Sequence, residues 1–253
     1  MPGKNRKIQV IKHYLINFLN LIEILVYPSK CKICNSPLGN YYEKAICNNC
    51  YQNLKPFRGP CCILCGKPFR APYSFHFCSD CLKEKPPFKI HRSAGLYDGT
   101  LKELILLFKF RKIKSLGGKL ALFLYNSTKI DINFSEIDFI IPVPLHKKRL
   151  KERGFNQSEL ISKEINRMVN KKILNDVLVK RKNTIPQTLI DFNERKRNIH
   201  GAFQLKNAEV IKDKNILLVD DVYTTGSTIF ECAKTLLKGN PKSISIITLA
   251  RSL

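Results

Sequence analysis

The chain has 253 residues, 44% apolar and 25% charged, an ordinary globular composition with room for one or two domains and a real core. Its 44 Lys and Arg against 20 Asp and Glu give a formal net charge of +24, a field that attracts polyanions such as nucleic acid or an acidic membrane surface. The abundance of Lys, Asn and Ile is what an A+T-rich genome favours, so codon bias is an alternative source of part of that charge.

In chain order, Ile8, Ile11, Leu15, Phe18, Leu19 and Ile22 recur at helical spacing. Lys12, His13, Asn17, Asn20 and Glu23 interrupt them, which excludes a signal-peptide core or a spanning helix of about 20 apolar residues. An amphipathic helix is expected over residues 1–27, packed on the protein itself. Lying on a membrane surface is the alternative for the same face.

Ten cysteines follow a grammar of their own. Eight form four Cys-x-x-Cys pairs: Cys31/Cys34, Cys47/Cys50, Cys62/Cys65 and Cys78/Cys81. Each member of the first two pairs recurs 31 positions later, and so do Ile33 (Leu64), Pro37 (Pro68), Leu38 (Phe69), Tyr42 (Tyr73) and Ile46 (Phe77). Such self-similarity marks a duplicated unit. Within each unit twelve residues separate the two turns, enough for a hairpin that returns one pair beside the other. The expected pairing puts Cys31, Cys34, Cys47 and Cys50 on one Zn²⁺, and Cys62, Cys65, Cys78 and Cys81 on a second; a cross-braced arrangement is the alternative. Four thiolates fill a tetrahedral shell, so such zinc is structural. Cys61 aligns with Lys30 and is a bystander. Thiolates free to hold metal imply a reducing compartment, hence a cytoplasmic protein.

Composition changes after Pro86-Pro87, so a double zinc ribbon is assigned to 28–88 and an α/β domain to 89–253. A strand or turn is expected at 93–97, a helix at 101–110, a break at Gly117-Gly118 and a helix at 119–125. A buried strand at 138–143, a helix at 158–169 capped by Asn156 or Ser158, and a long loop at 183–202 come next. A strand at 215–219, a helix at 229–237 and a strand at 243–249 close the chain. Strands alternating with helices predict a mainly parallel sheet with helices on both faces.

The strand Ile216-Leu217-Leu218-Val219 delivers Asp220-Asp221 to its end, where α/β sheets bind ligands. The loop Thr224-Thr225-Gly226-Ser227-Thr228 then opens a helix, whose N–H groups converge on an anion beside four hydroxyls. This loop suits a phosphate monoester. The carboxylates suit vicinal ribose hydroxyls, and they would repel a phosphate placed on them. Lys147, Lys148 and Arg149 form a basic turn after the strand at 138–143, at the same sheet edge. The loop 184–203, with Gln187, Arg195, Lys196, Arg197 and Asn198, has the character of a lid carrying positive charge to a leaving group. A solvated turn and an exposed linker are the plain alternatives for these two segments.

The Asp-Asp, Thr-Thr-Gly-Ser-Thr segment resembles the 5-phosphoribosyl 1-pyrophosphate signature of type I phosphoribosyltransferases, with Tyr223 where many members carry a smaller aliphatic residue. Together with the doubled cysteine module, Lys109-Phe110, Pro142–Pro144, Arg149, Arg153-Gly154-Phe155-Asn156-Gln157, Gln187, Arg195, Asn198 and Phe203, it is similar to the ComF family of competence-associated proteins over nearly the whole chain. That resemblance implies phosphoribosyl pyrophosphate bound with Mg²⁺. Asp220 and Asp221 would then act at the ribose, residues 224–228 at the 5-phosphate, and Lys147, Lys148, Arg149 and Arg195 at the pyrophosphate. It also implies DNA uptake in natural transformation, handling single-stranded DNA beside a helicase-like partner at the inner face of the membrane. A transferase with an unidentified acceptor, a ligand-gated single-strand-binding module without transfer, and a nucleobase salvage transferase all remain open on sequence; no segment stands out as a base pocket.

Overall fold

The computed structural model describes residues 30–38, 45–69, 76–184 and 197–253. The expected N-terminal helix, Tyr41, Tyr42, Tyr73, Phe75, Gln187, Arg195 and Lys196 lie outside them. The chain divides into two compact units, Met1–Leu54 and Lys55–Leu253, so the division falls between the two cysteine modules.

The duplication is visible in the backbone. Lys30 bridges Pro37 and Cys61 bridges Pro68, both antiparallel. Cys31 N–H donates to Ser36 O (2.8 Å), and Cys62 N–H to Lys67 O (2.9 Å). Asn35 and Gly66, one residue past the second cysteine of each turn, both take a left-handed conformation (φ 59° and 67°). Each module then ends in a five-residue helix starting right after its third cysteine: α1 (Asn48–Gln52) and α2 (Ser79–Lys83).

The larger unit is built on a five-stranded sheet in the order β1-β7-β6-β2-β3, every neighbouring pair parallel. Its strands are β1 (Ile90–Leu96), β2 (Phe139–Pro142), β3 (Lys172–Ile173), β6 (Asn215–Tyr223) and β7 (Ser243–Arg251). The central three are near-continuous apolar runs, as strands covered on both faces must be. Between β1 and β2 lie α3 (Gly99–Phe110) and α4 (Leu116–Thr128). Between β2 and β3 lie α5 (Lys147–Arg153) and α6 (Gln157–Val169). A short antiparallel ribbon, β4 (Leu178–Lys180) with β5 (Phe203–Leu205), precedes β6, and α7 (Ser227–Leu237) joins β6 to β7. On one face Ile229, Cys232, Ala233 and Leu236 of α7 pack with Ile216, Leu218, Ile244 and Ile246. The second cysteine module shares that buried cluster through Cys62, Cys65, Cys78 and Cys81. On the other face, α4 packs on β1, β7 and α6, and α6 on β2, β3 and β6.

Two local expectations need correction. Gly117-Gly118 is no break; both lie inside α4. A Cβ on Gly117 would sit 3.0 Å from the Leu160 side chain, so the glycine permits the close approach of α6. The basic turn after β2 is the helix α5, capped by His146, whose Nδ1 accepts from Lys148 N–H (3.3 Å), and ended by Gly154 at φ 77°. Among the described residues, no helix is long and apolar enough to cross a membrane.

Candidate functional site

β2 leads out to β3 on one side, while its other neighbour β6 leads to β7 on the opposite side. That reversal opens a crevice at the carboxyl ends of β2 and β6, the place where open α/β sheets hold ligands. Pro142 pairs with Val219 at its floor. β6 runs on through Tyr223, so Asp220 and Asp221 are held by the strand ladder instead of a mobile turn.

Each carboxylate has a different partner. Asp220 accepts from Ser158 Oγ (3.0 Å) and from the Asp221 N–H (2.9 Å). Asp221 accepts from Lys109 Nζ at 2.8 Å, both side chains largely buried. Burial first, and the Asp221 charge second, push the Asp220 carboxyl up to about 7, against the pull of Lys109 and Ser158. Arg153 feels the charges of Asp221 and Asp220, and Lys180 that of Asp220. Burial lowers both of their pKa values and the Arg149 guanidinium adds to the lowering; Asp221 and Asp220 oppose it at Arg153, and Cys232 and Asp220 oppose it at Lys180. Arg149, Arg153 and Lys180 thus feel one another's charge. Lys147 and Lys148 are exposed at the start of α5.

The hydroxyl loop follows directly. Gly226 takes φ 77° and caps α7, with its carbonyl accepting from Phe230 N–H (2.8 Å). Thr225 Oγ1 and Ser227 Oγ lie 2.8 Å apart, and Thr225 Oγ1 accepts from Ser227 N–H at 3.3 Å. Thr224 and Thr228 are partly buried beside them. A side chain at Gly226 would collide with the Tyr223 ring, which lies beneath the loop.

The run from Arg153 to Gln157 is the elbow that aims α6 at the crevice. Gly154 ends α5, and Asn156 caps α6 by accepting from Ser158 N–H (3.1 Å) while donating to Val143 O (3.0 Å). Phe155 packs on Phe108 with ring centres 5.4 Å apart. Arg153 donates to Gln157 Oε1 (2.9 Å), fixing the guanidinium near the acidic pair. Ser158 is thereby delivered to Asp220.

The eight cysteines gather as two groups of four, in the pairing expected from the repeat, with the sulfurs of each group within 4.8 Å of one another. Cys34 and Cys47 sulfurs are 3.7 Å apart, and Cys65 and Cys78 sulfurs 3.6 Å. A tetrahedral ZnS₄ shell with bonds near 2.3 Å needs about 3.8 Å between sulfurs, so both groups fit zinc. The thiols are poised for it. Hydrogen bonds from Ser36 bring Cys34 down to about 6. Burial opposes ionisation of Cys62, yet the N–H groups of Cys65, Cys78 and Leu64 bring it to about 7. Burial and neighbouring thiolates push Cys81 far up, a conflict a dication removes. Cys61 stands outside the cluster, as expected.

Comparison with known proteins accords with both halves. The chain is 31% identical over 244 residues to competence protein F of Haemophilus influenzae, covering 94% of this chain and 100% of the relative. The chain belongs to the competence protein F (ComF) family. ComFC of Bacillus subtilis is 32% identical over 83% of this chain and 85% of that protein. The DNA utilization protein YhgH of Escherichia coli K12 is 29% identical over 91% and 100%. A double zinc ribbon domain matches residues 22–82 and a phosphoribosyl transferase domain residues 153–253. As a ComF protein it thus joins two structural zinc sites to a phosphoribosyltransferase-type sheet.

Within this ComF chain the structure adds groups that sequence reasoning left without a role. Lys109 and Ser158 contact the acidic pair, and Lys180 on the β4–β5 ribbon feels the charge of Asp220. Lys109 and Ser158 were visible as residues of their segments, but nothing in spacing alone links them to positions 220 and 221.

Proposed function

We propose that this protein binds 5-phosphoribosyl 1-pyrophosphate with Mg²⁺ in the β2–β6 crevice and handles DNA taken up in natural transformation. The observation that carries this reading is a strand-held acidic pair followed at once by a hydroxyl loop around Gly226. Phosphate and ribose would occupy successive positions. The Thr224–Thr228 hydroxyls and the loop N–H groups hold the 5-phosphate, and Asp220 and Asp221 accept from the ribose hydroxyls. Arg149, Arg153 and Lys180 receive the pyrophosphate, with Lys147, Lys148 and Arg195 as further cations. Magnesium takes hard oxygen donors and usually arrives on phosphate oxygens, where it neutralises charge. A pair in which one member is held near neutrality and the other faces Lys109 suits that arrival better than a standing metal cage.

If transfer occurs, the sugar carbon gains positive charge as pyrophosphate leaves, and the two carboxylates stabilise it by position, without a general base. The acceptor would be a nitrogen nucleophile. A second reading, a ligand-gated single-strand-binding module without transfer, is favoured by the net charge of +24, which transfer chemistry does not need. Pyrophosphate released only when an acceptor is present separates the two.

Phosphoribosyl pyrophosphate with Mg²⁺ is expected to raise the melting temperature; at 100 times Kd the gain is about 2.7 kcal/mol. No rise at millimolar ligand would refute the site. Single-stranded DNA should bind with a log–log salt slope of about −0.7 per phosphate contact. An affinity insensitive to salt would mean that the net charge of +24 does not carry the binding.

A further inference from the structure

The Tyr223 side chain occupies a place that neither zinc nor phosphoribosyl chemistry calls for. It is 6% exposed, and its ring lies directly under Gly226, so the hydroxyl loop rests on it. One face of the ring stacks on His91, with centres 4.3 Å apart and planes 23° from parallel. The Arg251 guanidinium also sits over the ring, 4.3 Å from its centre. Both of these partners reach the same atom. His91 Nδ1 is 2.8 Å from the Cys65 carbonyl oxygen, and Arg251 donates to that oxygen as well.

Cys65 belongs to the second cysteine group. The contact is tight. His91 N–H donates to Leu64 O at 2.7 Å, and a Cβ on Gly66 would come within 2.8 Å of the His91 carbonyl. Because a carbonyl only accepts, the His91 proton sits on Nδ1, and Nε2 is left to accept from Thr248 Oγ1 at 3.0 Å. A continuous path of packed and hydrogen-bonded groups therefore runs from the metal-binding turn, through His91 and Arg251, to Tyr223 and the loop. The equivalent carbonyl of the first module belongs to the other compact unit.

We propose that Tyr223 is a positioning residue tying the 224–228 loop to the second cysteine group, so that metal in that group and anion in the loop hold each other in place. The anion half rests on the reading given above. A smaller aliphatic side chain at 223 would leave the loop without its floor and the Cys65 carbonyl without its backed donors. Coupling of this kind is reciprocal: whatever anion binding gains from the metal turn, metal retention gains from the anion.

The test uses zinc-loaded full-length protein as wild type, Tyr223→Phe and Tyr223→Leu. Three quantities are read: amide exchange of the 224–228 loop, zinc release to a chelator, and calorimetric affinity for phosphoribosyl pyrophosphate with Mg²⁺. Tyr223→Leu should speed loop exchange and the release of one of two zinc ions, each on the order of 10-fold, with α6 exchange unchanged. Tyr223→Phe, which keeps the stacked ring, should restore both. In wild type, saturating ligand should slow one zinc-release phase by a similar factor, and Tyr223→Leu should lose that protection. Loop exchange and zinc release equal to wild type in Tyr223→Leu would overturn the coupling, whatever the ligand does. Wild type that binds no phosphoribosyl pyrophosphate would overturn the ligand reading alone, because exchange and release still decide the role of Tyr223. Should Tyr223→Leu fail to fold, ligand that binds wild type without slowing either zinc phase would overturn the proposal.

Discussion

Cys81→Ser is expected to leave no folded protein, whereas Cys31→Ser should lose one zinc and keep the Lys55–Leu253 unit folded. The asymmetry follows from where the two cysteine groups sit. Cys62, Cys65, Cys78 and Cys81 are part of the buried cluster that includes Ile216, Ile244 and Leu236, so their metal shell is also a wall of the main core. Zinc in such a shell contributes folding free energy on the order of 10 kcal/mol, comparable to the whole stability of a domain at about 5–15 kcal/mol. Without it, Cys81 and its neighbours would be buried thiols competing for ionisation. The first group is closed within Met1–Leu54, by bonds such as Lys32 N–H to Ala45 O at 2.9 Å, whereas the sheet lies in the Lys55–Leu253 unit. Elemental analysis should find two zinc ions in wild type and one in Cys31→Ser, and a heat scan of that variant should keep its main transition. Equal collapse of both variants would show that the two modules fold as one.

Sequence periodicity located β6, β7 and α6 because they are long enough for their burial pattern to be read. It missed β3, β4 and β5, which have two or three residues each and exist only through their pairing partners. Glycine was misread at 117–118, since space left for Leu160 and a turn look alike in one dimension. The acidic pair and the hydroxyl loop were legible because all their parts are contiguous. The residues that tune them were not: Lys109 comes from α3, Ser158 from α6 and Lys180 from the ribbon. Tyr223 could be seen as a departure from the phosphoribosyltransferase pattern, but its role depends on Arg251 and His91, which only the fold brings to its ring.

Asp220→Asn with Asp221→Asn is expected to abolish phosphoribosyl pyrophosphate binding while the protein stays folded. Asp220 ionises near 7 in the fold, against an ordinary value of 3.8. Between those values the native state holds a proton that the unfolded chain has released. Its contribution to stability therefore falls as pH rises from about 4 to 7, by at most about 4 kcal/mol at 1.36 kcal/mol per unit. Above pH 7 the full cost of the ionised, crowded pair is present. The double variant should lose that slope and, at pH 8, the cost; against this, Lys109 loses its partner. Binding follows the opposite sense. If the ligand needs both carboxylates, it must expel the Asp220 proton at low pH, so affinity should rise about 10-fold per unit up to pH 7 and then level. Calorimetric titration of phosphoribosyl pyrophosphate with Mg²⁺ at pH 7.5, into wild type and the double variant, tests the site most directly. The account predicts saturable one-to-one binding to wild type and no binding to a double variant of unimpaired melting temperature; binding of equal strength to both would contradict it.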